Sequence, residues 1–194
     1  MLMKNIAIFA SGNGSNAWRI SEYFSGRPDI CVALILSNNP EAYVLKRAEM
    51  LNIPAVVFDR TIFYGSQQVL EILHDRGINF IVLAGFLWII PDYILTAFPG
   101  RIINIHPALL PKYGGKGMYG IHVHEAVLAS GDKETGITIH LVNEKYDEGQ
   151  ILFQERCHVE KHDMPENLAQ RVHELEYRHY PVVIEQWIRK TGSF

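Results

Sequence analysis

Cysteine is scarce in this chain. Cys31 and Cys157 are too few for a disulfide framework and lack the spacing of metal ligands. Both read as small buried apolar side chains of a protein kept in a reducing compartment. Long apolar runs are missing as well, and none approaches the ~20 residues that a membrane-spanning helix needs. Met1-Leu2-Met3-Lys4 passes directly into a strand pattern, without the apolar stretch and small-residue cleavage site of a signal peptide. Neither sign of charge dominates: 18 Lys and Arg against 21 Asp and Glu leave a formal charge of -3, no footprint for nucleic acid. No repeat, low-complexity tract or linker interrupts the sequence. These absences predict a soluble cytoplasmic protein with neither a nucleic-acid nor a membrane partner.

What is present is a core-forming composition, 48% hydrophobic and 20% charged over 194 residues, which fits one domain spanning 1–194. The runs at 4–10 (apolar from Ile6), 30–36, 53–58 and 80–84 read as strands buried on both faces. Helical patterns lie between them: one through Trp18, Ile20 and Phe24 that Gly26 and Pro28 stop, one over 41–51, and one that Ser66 can cap and Gly77 ends. This alternation predicts right-handed βαβ units in a doubly wound, mostly parallel, Rossmann-like α/β sheet. After 111–119 the pattern changes to a helix over 121–129, an alternating strand over 136–142 and a further strand over 151–159, which predicts an antiparallel C-terminal edge. Asp163 with Glu166 makes a capping-box-like start for a last helix, whose apolar stripe is Leu168, Val172, Leu175, Val183 and Trp187.

The densest chemistry is Asn104-Ile105-His106-Pro107, closing the strand-like run 100–103. Residues two apart on a strand share a side, so an amide donor that cannot ionise stands beside an imidazole that titrates near neutrality. Pro107 restricts the preceding backbone and stops the strand there. Such a pair suits a developing oxyanion.

Three other segments compete with plainer readings. Ser11-Gly12-Asn13-Gly14-Ser15-Asn16, between the first strand and first helix, offers backbone amides to an anion. It is neither a GxGxxG fingerprint nor a P-loop, so a small phosphate ester fits better than a nucleotide; the plainer reading is a turn with Ser15 as helix cap. Leu83 to Pro91 stays apolar past the strand end and reads either as the wall of a pocket for a flat ring or as core. Asp147-Glu148-Gly149 reads either as a turn or as a carboxylate that orients His106 and raises its pKa. His122, His124 and His140 lack zinc-site spacing, and Glu176 in isolation reads as part of a solvated helix face. Lys112 and Lys116 flank a glycine-rich loop that can attract an anion.

Together these segments closely resemble the phosphoribosylglycinamide formyltransferases, folate-dependent enzymes of purine biosynthesis. The match is carried by the loop at 11–16, Leu-Ala-Gly-Phe at 83–86, Asn-Ile-His-Pro-x-Leu-Leu-Pro at 104–111 and Asp-x-Gly at 147–149. The resemblance implies that Asn104, His106 and Asp147 are catalytic, that Gly14, Ser15 and Asn16 hold the substrate phosphate, and that Glu176 lies near the glycyl amine. It implies a pterin site formed by Leu87, Trp88, Ile89, Ile90 and Asn104 with the loop Asn143, Glu144, Lys145 and Tyr146. The substrates it implies are 5-phosphoribosylglycinamide and 10-formyltetrahydrofolate, with no metal, in a monomer or homodimer. Trp88 stands where the family often has an arginine, the loop 112–120 is longer and glycine-richer, and a family arginine before the fourth strand has no clear counterpart near a shortened 61–65 stretch. A formyltetrahydrofolate hydrolase, using water in place of the amine, is the enzyme alternative. A catalytically silent folate- or nucleotide-binding module is the alternative outside catalysis.

Overall fold

The computed structural model describes residues 3–191. In chain order its elements are β1 (Lys4–Phe9), α1 (Ser15–Phe24), β2 (Ile30–Ser37), α2 (Tyr43–Met50), β3 (Ala55–Val57), α3 (Arg60–Gly65), α4 (Gln68–Asp75) and β4 (Ile78–Leu83). There follow α5 (Asp92–Ala97), β5 (Ile102–His106), α6 (Ile121–Ser130), β6 (Glu134–Leu141), β7 (Ile151–His158) and α7 (Pro165–Thr191). The seven strands form one mixed sheet ordered β3-β2-β1-β4-β5-β6-β7. β1 pairs in parallel with β2 and β4, β2 in parallel with β3, and β6 antiparallel with β7, as the sequence pattern predicts. Contacts within the chain separate two compact units, Met1–Ile103 and Asn104–Phe194.

In the first unit the continuous apolar strands are buried on both faces: Ile6 to Phe9 on β1 and Leu34 to Leu36 on β2 are fully inaccessible. Two short helices, α3 and α5, stand where the sequence pattern predicts none. Thr61, Ile62, Phe63 and Tyr64 are β-branched or aromatic and carry little helix propensity. What holds α3 is a cap, the Asp59 carboxylate accepting from the Ile62 amide at 2.8 Å, together with complete burial of Phe63. Phe63 stacks on Phe58 with ring centroids 4.8 Å apart and meets Phe86 edge-on at 5.7 Å. Ser66 donates to the Ile62 carbonyl at 2.9 Å and accepts from the Gln68 amide at 3.3 Å. It therefore links α3 to α4 rather than capping one helix that runs to Arg76.

In the second unit β6 and β7 approach so closely that a Cβ on Gly136 would lie 1.9 Å from the Glu155 carbonyl oxygen. The start of α7 differs from the predicted capping box. Asp163 is drawn into a two-pronged ion pair with Arg171 at 2.7 and 3.0 Å. The reciprocal bond to the cap amide comes from Asn167, whose Oδ1 accepts from Met164 N at 3.3 Å. Leu168, Val172, Tyr180, Ile184 and Ile188 form the buried stripe of α7, and Glu176 sits on that stripe.

Candidate active site

β5 carries Asn104 and His106 two residues apart; His106 is 3% exposed and Asn104 half-buried. Asp147 comes from the turn after β6 with a backbone φ of 56, the left-handed region that aspartate tolerates better than most residues. Gly149 lets that turn close, because a Cβ there would lie 1.6 Å from the Leu141 carbonyl oxygen and 3.3 Å from His140 Nδ1. The Asp-x-Gly spacing is a packing requirement against β6.

The Asp147 carboxylate is the hub. Its Oδ2 lies 3.5 Å from His106 Nδ1 and accepts from the Gly115 amide at 2.9 Å. Its Oδ1 lies 3.5 Å from both Asn104 Nδ2 and His140 Nε2. Partner chemistry assigns the ring protons. His106 Nε2 stands 2.7 Å from the Tyr113 carbonyl oxygen, which can only accept, so this nitrogen is protonated and Nδ1 faces the carboxylate. His140 Nδ1 donates to the Leu141 carbonyl at 2.8 Å. In neutral His140, Nε2 is then an acceptor for Asn104 Nδ2 at 3.2 Å. The second N–H of Asn104 makes no strong bond to Asp147 at 3.5 Å and can serve another acceptor.

The two acceptors around His106 favour an imidazolium, yet burial opposes it and wins. Desolvation lowers its pKa by more than Asp147 and the Tyr113 carbonyl raise it, and His140 lowers it further. Asp147 thus pulls the His106 pKa upward, as the sequence reading expects, but the net shift is downward and the ring is neutral near pH 7. For Asp147, burial alone would raise the pKa. Its contacts with His140 and His106 and the bond from the Gly115 amide outweigh that and hold the carboxyl below its usual range.

The other second-unit residues lie as follows. Glu176 is 5% exposed, which corrects its reading as part of a solvated face. Burial of the Tyr180 hydroxyl, with the neighbouring Glu176 charge adding to it, lifts that group well above the usual tyrosine range. Asn143 Oδ1 accepts from the Lys145 amide at 3.0 Å, Lys145 pairs with Glu148 at 3.1 Å, and Glu144 and Tyr146 are exposed. Lys112 pairs with Asp132 at 2.9 Å instead of standing free, and Lys116 is exposed. His122 and His124 point apart, one exposed and one buried. Among the described residues no His, Cys, Asp and Glu cluster is arranged to hold a metal ion.

In the first unit, Gly14 precedes α1 with φ 73, and Ser15 is the first helical residue rather than a side-chain cap. Asn16 follows on the first turn, half-buried. Beyond Gly85, Leu87 is 46% exposed, Trp88 and Ile89 are half-buried, and Ile90 is buried. The Leu87 amide donates to Ser11 Oγ at 3.0 Å, and the Ile89 carbonyl accepts from Tyr64 Oη at 3.0 Å, so the segment has both wall and core character. Arg60 opens α3 with its guanidinium 5.6 Å from the Trp88 ring centroid and 5.5 Å from that of Tyr64. This supplies an arginine at the helix start, where the sequence pattern offers no clear counterpart.

Sequence reasoning missed Arg60, His140 and the Tyr113 carbonyl as members of these constellations. His140 had a signal: Thr138 and His140 place polar side chains at alternate positions of a strand whose other positions, Ile137, Ile139 and Leu141, are apolar. Thr138 Oγ1 donates to the Ala108 carbonyl at 2.6 Å and accepts from the Leu110 amide at 3.0 Å, pinning the segment after β5.

A family model described as formyl transferase matches residues 4–184. The chain is 43% identical over 187 residues to the chloroplastic phosphoribosylglycinamide formyltransferase of Arabidopsis thaliana, an alignment covering 93% of this chain and 64% of that protein. It is 38% identical over 189 residues to the Bacillus subtilis phosphoribosylglycinamide formyltransferase, covering 95% of this chain and 94% of that one. The solved phosphoribosylglycinamide formyltransferase from Bacillus halodurans superposes with a TM-score of 0.86 at 36% identity, covering 97% of each chain. That from Streptococcus pneumoniae gives 0.83 at 36% identity, covering 95% of this chain and 98% of that one. The chain belongs to the formyl transferase family, on its phosphoribosylglycinamide formyltransferase branch.

Proposed function

We propose that residues 1–194 act as one formyltransferase domain that moves the formyl group of 10-formyltetrahydrofolate to the amine of 5-phosphoribosylglycinamide. The observation that carries this reading is the meeting of Asn104, His106 and Asp147 around one carboxylate, across 43 positions of sequence between Asn104 and Asp147. The amine attacks the formyl carbon, a C–N bond forms, and the carbonyl electrons move onto oxygen. The spare N–H of Asn104 donates to that oxyanion; removing such a donor costs about 3–4 kcal/mol, or roughly 100- to 1000-fold in rate.

His106 supports the proton step through Nδ1, since its Nε2–H is engaged by Tyr113. A neutral Nδ1 takes the proton from the attacking amine, and the imidazolium so formed has an acceptor at each nitrogen. Collapse of the tetrahedral intermediate breaks the bond to N10 of the folate, which takes that proton. Asp147, kept ionised, stabilises the transient cation. In this reading Gly14, Ser15 and Asn16 take the phosphate, Glu176 the glycyl amine, and 87–90 with 143–146 the pterin. Arg60, held against Trp88 and Tyr64, suits a carboxylate of the folate's glutamyl end.

The deciding experiment follows the absorbance of a 10-formyl folate with and without 5-phosphoribosylglycinamide. The proposal expects deformylation that depends on the amine, with formylated glycinamide ribonucleotide as product. Deformylation that runs equally fast without the amine overturns it in favour of hydrolysis.

A further inference from the structure

We propose that Arg47, on α2, is a positioning residue for the phosphate loop, holding 11–16 in the form that presents amides to an anion. The inference rests on reading that loop as the phosphate site. Arg47 donates from Nε to the Asn13 carbonyl oxygen at 2.9 Å and from Nη2 to Asn13 Oδ1 at 2.9 Å. Its guanidinium is braced by two rings, with centroids 5.1 Å away at Tyr43 and 5.6 Å away at Trp18.

The loop shows why this matters. Four successive carbonyl oxygens are bound by the protein: Ser11 O by Asn39 Nδ2 at 3.4 Å, Gly12 O by the Val44 amide at 3.1 Å, Asn13 O by Arg47 at 2.9 Å and Gly14 O by the Trp18 amide at 2.9 Å. The amides of Gly12, Asn13, Gly14 and Ser15 donate to no described residue. A loop whose carbonyls are all turned onto protein offers an anion its N–H edge and little repulsive oxygen. Shape is set by α2 as well, since a Cβ on Gly14 would lie 2.4 Å from Val44 Cγ2. Of these four oxygens, only that of Asn13 is held by a charged side chain, and the same guanidinium fixes the Asn13 amide group. Lysine keeps the charge but cannot make both bonds in this planar geometry.

The test compares steady-state kinetics of wild type, Arg47→Lys and Asn13→Ala with 5-phosphoribosylglycinamide and with the same compound lacking its phosphate. Wild type should strongly prefer the phosphorylated substrate. Arg47→Lys should raise KM for that substrate roughly tenfold, with kcat, folate KM and the dephosphorylated substrate nearly unchanged. Asn13→Ala should raise the same KM about threefold and add less than that in the Arg47→Lys background. Arg47→Lys with an unchanged KM, or with equal losses on both substrates, overturns the positioning role while leaving the phosphate reading in place. Wild type that does not distinguish the two substrates overturns the phosphate reading, and the role of Arg47 with it.

Discussion

Loop 11–16 presents backbone amides from consecutive residues, whereas Asn104, His106, His140 and Asp147 act through side chains delivered by β5, by β6 and by a turn. A backbone site is indifferent to most side-chain chemistry but intolerant of shape, because its geometry depends on Gly14 at φ 73 lying against Val44. A side-chain site tolerates small shifts of backbone but no change of functional group. The two regions should therefore fail in opposite ways when mutated: the first in binding, the second in turnover.

The largest expected effect is at His106. His106→Ala should lower kcat by about 1000-fold, and Asp147→Asn by about 100-fold, each with KM values within a few-fold of wild type. Steady-state kinetics on both substrates measure the split. If binding and turnover fall together, these residues hold the fold instead, and the contrast between the regions is lost.

Next is the loop. Gly14→Ala must displace Val44 and adopt a φ that alanine rarely takes, and should raise KM for 5-phosphoribosylglycinamide by about 10- to 100-fold. Ser15→Asp sets a second negative charge beside the phosphate and should weaken the same substrate about tenfold while sparing the folate. Isothermal titration with each substrate reads this directly. Equal affinity of Ser15→Asp and wild type for both ligands would refute the assignment.

The same contrast explains what the sequence made legible. The parallel strands were readable because Ile6 to Phe9 and Leu34 to Leu36 are apolar without interruption, a pattern that burial on both faces demands. The turn at 11–16 is readable because it is local, with Gly12 and Gly14 two positions apart before α1. The dyad Asn104 and His106 was readable from strand periodicity alone. The rest depended on tertiary context. α3 exists through the Asp59 cap and the burial of Phe63, against weak propensity. Glu176 lies on the apolar stripe between Val172 and Tyr180, where helical spacing turns it inward, but its ionisable side chain argues for solvent. The net direction of the His106 shift is not legible in the sequence, which shows a neighbouring charge more readily than the loss of solvent around it.

His140 is a smaller test of the second region. It contacts the hub through Nε2, 3.2 Å from Asn104 and 3.5 Å from Asp147. His140→Phe removes both contacts at similar volume and should reduce kcat about tenfold, because the Asn104 amide loses the acceptor that orients it. An unchanged kcat would show that β5 packing alone sets the Asn104 amide.

The smallest effect on turnover is expected at His124, which sharpens the comparison from within the second unit. His106 and His124 are both buried imidazoles, but His106 has an acceptor at each nitrogen, while His124 Nδ1 is buried without a hydrogen-bond partner. Desolvation, helped by His173 and His106, lowers the His124 pKa to about 4. Well above pH 6.5 the ring is neutral in both folded and unfolded chains and contributes almost no pH dependence. Below that the unfolded chain takes up a proton that the folded chain refuses, so stability falls with pH until about pH 4. This residue should account for about 2 kcal/mol of lost stability at pH 5 and about 3 kcal/mol in full. His124→Gln keeps much of the volume and cannot titrate, so its unfolding free energy should drop less steeply between pH 7.5 and 5, by that difference, while kcat at pH 7.5 stays within twofold. Urea unfolding at the two pH values decides it: parallel losses in wild type and variant would mean that His124 is charged or solvated in the folded protein.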